Sequence, residues 1–461
     1  PANDLIASLI GKVGVDHNGL LGVEHTEDET LEPDAGTLIY TRDARGNPMW
    51  VSDGAYRHSV KGDGVALSID LALQEIARDE LIAGVKDANA AGGRLVMADP
   101  RTGEILAMVD HVREMEGLTR FDADDPPPRE VTDKGRIRFR TIRGIDPSED
   151  IHPAMRRNRC VEDLYEPGST FKPFVWSLIT EHGLAEPDEE IDTHKGLWRT
   201  SYGRRLRDVS PKDSLTWSDV LVHSSNIGMA QTAERMDYET TRRGLERFGF
   251  GRRARIDLPG ESTGLLTPIE RWSKYTQTSI AMGYEVGVTP VQMVRAFSAF
   301  ARGETDAGTI PTLSLTSEKG DSYNAGVRYR VLAPWVVKLA REAMRRVADT
   351  MIDRYVNTRE TPDPFAYSIF GKSGTAEIVR PDGRGYFRNQ HNSSFIAAGP
   401  TEDPRIVVLV VIDDPGPERV KRRTHYGSAV AGPVVCRVIE RTLRYMGVPP
   451  TPGSRMARAE D

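Results

Sequence analysis

Tyr165-Glu166-Pro167-Gly168-Ser169-Thr170-Phe171-Lys172 runs directly into an apolar segment from Pro173 to Ile179. Pro167 and Gly168 end whatever precedes them, and the residues that follow read as a helix start with an apolar body. Ser169 and Lys172 fall at i and i+3 in its first turn. That spacing puts both side chains on one face, with Cβ atoms roughly 5–6 Å apart, so the amine is expected to reach the hydroxyl. A serine with its own base is a candidate nucleophile. A lone SxxK is weak evidence, because any exposed helix can carry one.

Two further short elements give it company: Ser224-Ser225-Asn226 and Lys372-Ser373-Gly374. An SxN pattern recurs at Ser322-Tyr323-Asn324, in what reads as an exposed polar turn; Ser224 is preferred because Leu221 and Val222 precede it and a helix follows. Attack by serine near neutral pH needs a base, and an ordinary lysine, with a pKa of about 10.4, is protonated. Lowering it to about 7–8 costs roughly 4 kcal/mol. A second ammonium about 4 Å away supplies about that much at an effective dielectric near 20. Lys372 is the expected source of that charge, and Ser224 the hydroxyl bridge between the two amines. Asn226 offers an amide donor and acceptor for a bound peptide. Ser373 and Thr375 share a strand face by period two, so their hydroxyls suit a substrate carboxylate. Backbone N–H groups of Ser169 and Thr375 are candidates for an oxyanion hole.

The trio SxxK, SxN and K-[ST]-G is shared by class A β-lactamases and penicillin-binding proteins. On this evidence the chain resembles the class B penicillin-binding proteins, the membrane-anchored peptidoglycan transpeptidases, and most closely their cell-division branch. The resemblance extends from about Asn18 to Gly447 and has further carriers. These are Gly19-Leu20-Leu21-Gly22-Val23-Glu24, Asp99-Pro100-Arg101-Thr102-Gly103-Glu104-Ile105-Leu106-Ala107, Asp257-Leu258-Pro259-Gly260-Glu261, Gly287-Val288-Thr289-Pro290-Val291-Gln292 and Gly371 to Glu377. Ser373 stands where threonine is commoner, which keeps the hydroxyl.

The resemblance implies an α+β transpeptidase fold, a five-stranded antiparallel sheet flanked by helices, with a smaller β-rich N-terminal pedestal. It implies acylation of Ser169 by the D-Ala-D-Ala end of a stem peptide, then transfer to a neighbouring strand's amine during septal cell-wall synthesis. Lys172 is then the general base and Ser224 and Lys372 its relay. Asn226, Ser373, Gly374 and Thr375 contact substrate, and β-lactams trap Ser169. Implied partners are a membrane glycosyltransferase and other division proteins, met through the N-terminal domain. The implied location is the extracytoplasmic face of the bacterial inner membrane. The family's anchor helix and arginine-glycine stretch are missing before Pro1, so the chain as given is expected to be soluble. Two rivals use the same acyl-serine chemistry: a β-lactamase, in which water resolves the ester, and a β-lactam sensor or scaffold.

Bulk properties narrow the field. The 461 residues carry a formal net charge of -7, so no basic surface points to nucleic acid. The longest apolar run, Ile406 to Ile412, is far short of the roughly 18 residues a spanning helix needs. With only Cys160 and Cys436 and no HExxH or CxxC, neither a metal nor a cofactor is expected. Whether the two cysteines pair is open from spacing alone.

Taken in order, residues 1–69 read as the irregular, strand-dominated pedestal, with Val65 to Ile69 its last strand. Residues 70–446 read as the transpeptidase domain. It opens with a helix capped by Asp70, followed by a hairpin around Asp99-Pro100-Arg101-Thr102-Gly103. A charged stretch at 113–157 reads as a surface excursion. Helices fill the middle, and strands return near Ser368, Ser394 and Arg405 before a helix from about Ala429 to Tyr445. Residues 447–461 read as a flexible tail.

Three other signals carry less. Gly260-Glu261-Ser262-Thr263-Gly264 fits GxSxG, but Pro259 and Pro268 deny it a strand-to-helix elbow. Gly249-Phe250-Gly251 reads as a helix C-cap turn rather than a dinucleotide loop. His223, beside Ser224, reads as structural.

Overall fold

A computed structural model describes residues 5–6, 9–15, 17–113, 158–317, 329–358, 364–380 and 385–452. The expected excursion, the second SxN and the end of the tail therefore lie almost wholly outside the described residues.

The N-terminal region carries an antiparallel hairpin, β1 (Thr37–Arg42) and β2 (Pro48–Arg57). It is less purely strand than expected, since Gly22–Thr26 and Asp28–Leu31 are short helices. Val65 to Ile69 is not a strand either: only Leu67 makes an isolated bridge, to Thr316. The apolar alternation there serves packing, with Val65, Leu67 and Ile69 half-buried against the main core. Asp70 caps α1 (Leu71–Asp87), its carboxylate accepting from the N–H groups of Ala72 and Leu73.

β3 (Gly92–Ala98) and β4 (Ile105–Val112) form the expected hairpin. Helices α2 (Lys172–Glu181), α3 (Trp217–Val222), α4 (Asn226–Ala233), α5 (Pro290–Ala301) and α6 (Pro334–Tyr355) follow. β5 (Phe370–Val379), β6 (Tyr386–Gly399) and β7 (Ile406–Asp413) then complete the sheet, and α7 (Gly432–Tyr445) closes the domain. The order is β5-β6-β7-β3-β4, antiparallel throughout.

Period-two alternation sends successive residues of the central strands into two cores. Val407, Leu409 and Val411 pack with the helices that lie between β4 and β5 in sequence, including Phe174, Phe297 and Met344. Ile406, Val408, Val410 and Ile412 pack with α1 and α7 through Leu81, Val434 and Ile439. The Ile406–Ile412 run is continuous because both faces of β7 are covered. Phe171, Phe174, Phe248, Phe250 and Phe300 form a cluster of ring contacts that fixes the root of α2.

One polar cluster is buried in the sheet. Arg94 and Arg159 both pair with Asp413, at 2.7 and 2.8 Å, and Arg159 also pairs with Asp110 at 2.6 Å. It ties β3, β4 and β7 to the segment leading into Tyr165, whose ring lies under the Arg94 guanidinium. Cys160 and Cys436 are both buried and unpaired, one in each core. Among the described residues no helix is long and apolar enough to cross a membrane, and no group of ligating side chains is placed to hold a metal.

Candidate active site

The three short motifs meet. Gly168 to Phe171 is a 3₁₀ turn rather than the first α-helical turn, and Lys172 opens α2 with its N–H on the Ser169 carbonyl. Gly168 has φ +54, a conformation glycine adopts without strain. This turn packs on β5, which among the described residues is an edge strand paired only with β6, so its other edge is available to the cleft. A Cβ on Gly168 would lie 3.2 Å from the Thr375 carbonyl oxygen. Ser224 follows α3 with φ +58, a left-handed serine that costs about 1–3 kcal/mol and persists because its surroundings hold it.

Lys172 and Lys372 both converge on Ser224. Lys172 Nζ donates to the Ser224 carbonyl at 2.6 Å and to Asn226 Oδ1 at 2.7 Å, and lies 3.3 Å from Ser224 Oγ. Lys372 Nζ lies 3.0 Å from Ser224 Oγ and 3.2 Å from the Ser373 carbonyl. Both lysines are buried. Burial is the largest cause of the fall in the Lys172 pKa, well below the ordinary amine value, and the Lys372 charge comes second; the Asp208 carboxylate opposes both. Burial alone brings Lys372 down to about 7. The expectation that a second ammonium supplies most of the effect is thus corrected: desolvation leads.

Two sequence expectations change in detail. Among the described residues no hydrogen bond joins Ser169 Oγ to Lys172 Nζ, because the amine is drawn toward Ser224 and Asn226. A neutral amine has two hydrogens and one lone pair. With the hydrogens held by two obligate acceptors, the lone pair is left to take a hydroxyl proton. Asn226 is also more committed than expected: Oδ1 accepts from Lys172, and Nδ2 donates to the Arg207 carbonyl at 3.0 Å, leaving one amide hydrogen for a ligand.

Ser373 and Thr375 share the partly exposed face of β5, while Lys372, Gly374 and Ala376 face inward. Thr375 Oγ1 accepts the Gly427 N–H at 3.0 Å and keeps its own hydrogen to donate. Gly374 lets strand and turn touch, since a Cβ there would meet the Pro167 carbonyl oxygen at 2.5 Å.

Asp208 escaped the sequence reading. It accepts from Ser225 Oγ at 2.6 Å and from the N–H groups of Asn226 and Ile227 at 2.6 and 3.1 Å, which fixes the whole SxN turn. It sits in a charged, aperiodic stretch that offers no signal. Glu166 was visible only as part of the motif. Its Oε1 accepts from the Glu285 N–H at 2.8 Å and the Tyr386 hydroxyl at 3.3 Å, and burial raises its pKa to about 7.

The three weaker sequence signals take no part in the contacts of the two lysines. Ser262 lies in a turn with its Oγ accepting from Gly264 N–H, with no strand before it or helix after. Gly249 has φ +94 just past the helix Tyr238–Arg247, a C-terminal turn. His223 is exposed at the end of α3.

A buried lysine pair on one serine hydroxyl, beside a second serine on a 3₁₀ turn and an edge strand, defines a serine acyl-transferase of the penicillin-recognising fold. Residues 93–440 match the family described as penicillin binding protein transpeptidase domain. The chain belongs to that family, in its class B, cell-division branch. It is 30% identical over 450 residues to the probable peptidoglycan D,D-transpeptidase PbpC of Pseudomonas aeruginosa, covering 98% of this chain and 71% of that protein. It is equally 30% identical to the peptidoglycan D,D-transpeptidase FtsI of Escherichia coli strain K12, over 98% of this chain and 67% of that one. Among solved structures, the apo transpeptidase domain of Burkholderia pseudomallei penicillin-binding protein 3 superposes with a TM-score of 0.64 at 28% identity. It covers 84% of this chain and 98% of that domain.

Proposed function

We propose that the chain is a peptidoglycan D,D-transpeptidase that cross-links stem peptides through an acyl-enzyme on Ser169 and is acylated there by β-lactams. The observation that carries the reading is the convergence of Lys172 and Lys372 on Ser224 Oγ beside the Ser169 turn.

Ser169 Oγ attacks the carbonyl carbon of the penultimate D-alanine, and its proton passes to the Lys172 amine, directly or through Ser224. The developing oxyanion takes the backbone N–H groups of Ser169 and Thr375. The C–N bond breaks, and D-alanine leaves with the proton that Lys172 returns. The amine of a neighbouring strand then attacks the ester, and Ser169 recovers its proton as the new amide forms. Asn226 holds the peptide amide, and Ser373 and Thr375 hold the terminal carboxylate where Gly374 lets the strand approach.

The division role places the enzyme at septal wall synthesis on the extracytoplasmic face of the inner membrane. Residues 1–69 act as pedestal to a transpeptidase domain at 70–446. A membrane glycosyltransferase and other division proteins dock on the pedestal, a reading supported by the apolar side chains of Ile39, Met49 and Trp50, each about 70% exposed on the β1–β2 hairpin.

The test is peptide mapping after benzylpenicillin. One adduct on Ser169 is expected, absent in Ser169→Ala and nearly absent in Lys172→Ala. Unchanged labelling of Ser169→Ala refutes the assignment. Rapid turnover without a persistent adduct points to a β-lactamase instead. Acylation without turnover of a D-Ala-D-Ala or thioester substrate points to a sensor or scaffold.

A further inference from the structure

We infer that Glu166 is a positioning residue whose carboxyl locks the nucleophile turn, the 283–288 segment and the β5–β6 hairpin into one wall of the cleft. The inference rests on Ser169 being the nucleophile.

The turn and the 283–288 segment run side by side. Tyr165 and Val288 exchange backbone hydrogen bonds at 3.0 Å in both directions, and Gly168 N–H donates to the Gly283 carbonyl at 3.0 Å. The contact is tight, since a Cβ on Gly283 would lie 2.0 Å from the Gly168 carbonyl oxygen. Between these bonds the backbone must turn, and Glu285 takes φ +57. The N–H of that strained residue is the one that donates to Glu166 Oε1.

The same oxygen holds the hairpin. Tyr386 stands opposite Val379 at the loop end of the hairpin, four residues beyond Thr375 on β5, and its hydroxyl donates to Glu166 Oε1. Its ring also packs edge-on against Tyr284, with centroids 6.1 Å apart. One carboxyl oxygen three residues before Ser169 therefore joins all three pieces. Removing it leaves the Glu285 N–H without its acceptor and frees the hairpin end from the turn. The second oxygen, Oε2, is buried with no hydrogen-bond partner among the described residues. Nothing in the contact demands a negative charge, and burial favours the neutral acid. A glutamine, which keeps one acceptor oxygen, should therefore serve.

The experiment resolves acylation by a fluorescent penicillin into a dissociation constant and an acylation rate constant, after mapping the wild-type adduct. Glu166→Ala is expected to lower the rate constant by about 10–100-fold, the range that a sub-ångström to 1 Å misplacement produces, with the dissociation constant within about threefold. Glu166→Gln is expected to stay within about threefold of wild type, because the shared acceptor is retained. Tyr386→Phe, which deletes one hydroxyl and leaves the fold intact, is expected to slow acylation by about 3–10-fold. Added to Glu166→Ala it is expected to cost nothing more, because the two act through one bond. A wild-type rate in Glu166→Ala overturns the inference, as does a glutamine variant as slow as the alanine one or a loss confined to the dissociation constant. If Glu166→Ala melts below the assay temperature, a wild-type rate in Tyr386→Phe overturns it. An unlabelled Ser169 in the wild type overturns the underlying reading, whereas a labelled one with an unaffected Glu166→Ala overturns the positioning role alone.

Discussion

Gly374 and Pro167 meet backbone to backbone: a Cβ on the strand residue would lie 2.5 Å from the carbonyl oxygen of the turn residue. The same Cβ would meet Thr170 Cγ2 and Ser394 Oγ, each at 2.9 Å, so the strand cannot simply rotate away. The distance between Ser169 and the Ser373 and Thr375 hydroxyls on β5, proposed above to hold a substrate carboxylate, depends on this contact. Gly374→Ala must therefore push β5 off the turn. Overpacking of this kind costs about 1–3 kcal/mol of stability. The expected larger loss is in acylation, about 100-fold for an ångström of displacement. Stopped-flow labelling beside a thermal melt checks it, and a variant that labels at the wild-type rate would show that the contact does not set the cleft.

The Asp208 carboxylate is the floor of the SxN turn, and its removal leaves Ser225 Oγ and two backbone N–H groups without their acceptor. Asp208→Ala is expected to cost about 1–3 kcal/mol per unsatisfied group. Ser224, held at φ +58 by its surroundings, is then free to relax and carry its hydroxyl away from both amines. The expected signature is a β-lactam acylation rate reduced at least tenfold while the protein still melts cooperatively. Full retention of the rate would mean that α3 and α4 alone hold Ser224.

The strands around Asp99 to Gly103 and the Ile406–Ile412 run were readable because period two and turn chemistry are local. The convergence of the segments that carry Ser169, Lys172, Ser224 and Lys372 is foreshadowed because the spacing within each motif is short. Asp208 was not, because its partners lie 17 to 19 residues away and a carboxylate that caps someone else's turn has no pattern of its own. For a related reason the sequence points to the Lys372 charge as the main cause of the lowered Lys172 pKa, whereas burial leads and that charge comes second. Charge pairs can be counted in a sequence, whereas the burial of both amines is a property of packing that only the assembled helices and sheet create. The strand expected at Val65 to Ile69 failed because half-buried alternation also suits an extended connector lying on a core.

The buried cluster of Arg94, Arg159, Asp110 and Asp413 makes a stability prediction independent of catalysis. Asp413 accepts from both arginines, so Asp413→Ala leaves two guanidinium groups in the sheet with one carboxylate between them. Breaking a buried pair by removing one partner costs about 3–5 kcal/mol. Urea unfolding is expected to show that loss. A loss under about 1 kcal/mol would indicate that water reaches the cluster and screens it.

Lys372 links the chemistry to the pH dependence of folding. Its amine is held at about 7 by burial, against an ordinary value of about 10.4. Between those two values the unfolded chain binds a proton that the folded chain does not. Stability at this site therefore rises with pH across the window, and it is lowest below about 7, where the fold must bury an ammonium. Lys372→Met keeps the volume and removes the titration. The variant is expected to lose β-lactam labelling, because Ser224 Oγ loses a partner. It is also expected to melt above the wild type at pH 6, by about 1 °C for each kcal/mol relieved in a chain of 461 residues. By pH 9 somewhat more than half of that advantage should be gone, since the fold no longer buries an ammonium and only the remaining cost of deprotonating the amine is left. Melting curves of the two proteins at both pH values check the sign, and an equal difference at pH 6 and pH 9 would mean that Lys372 keeps its proton throughout.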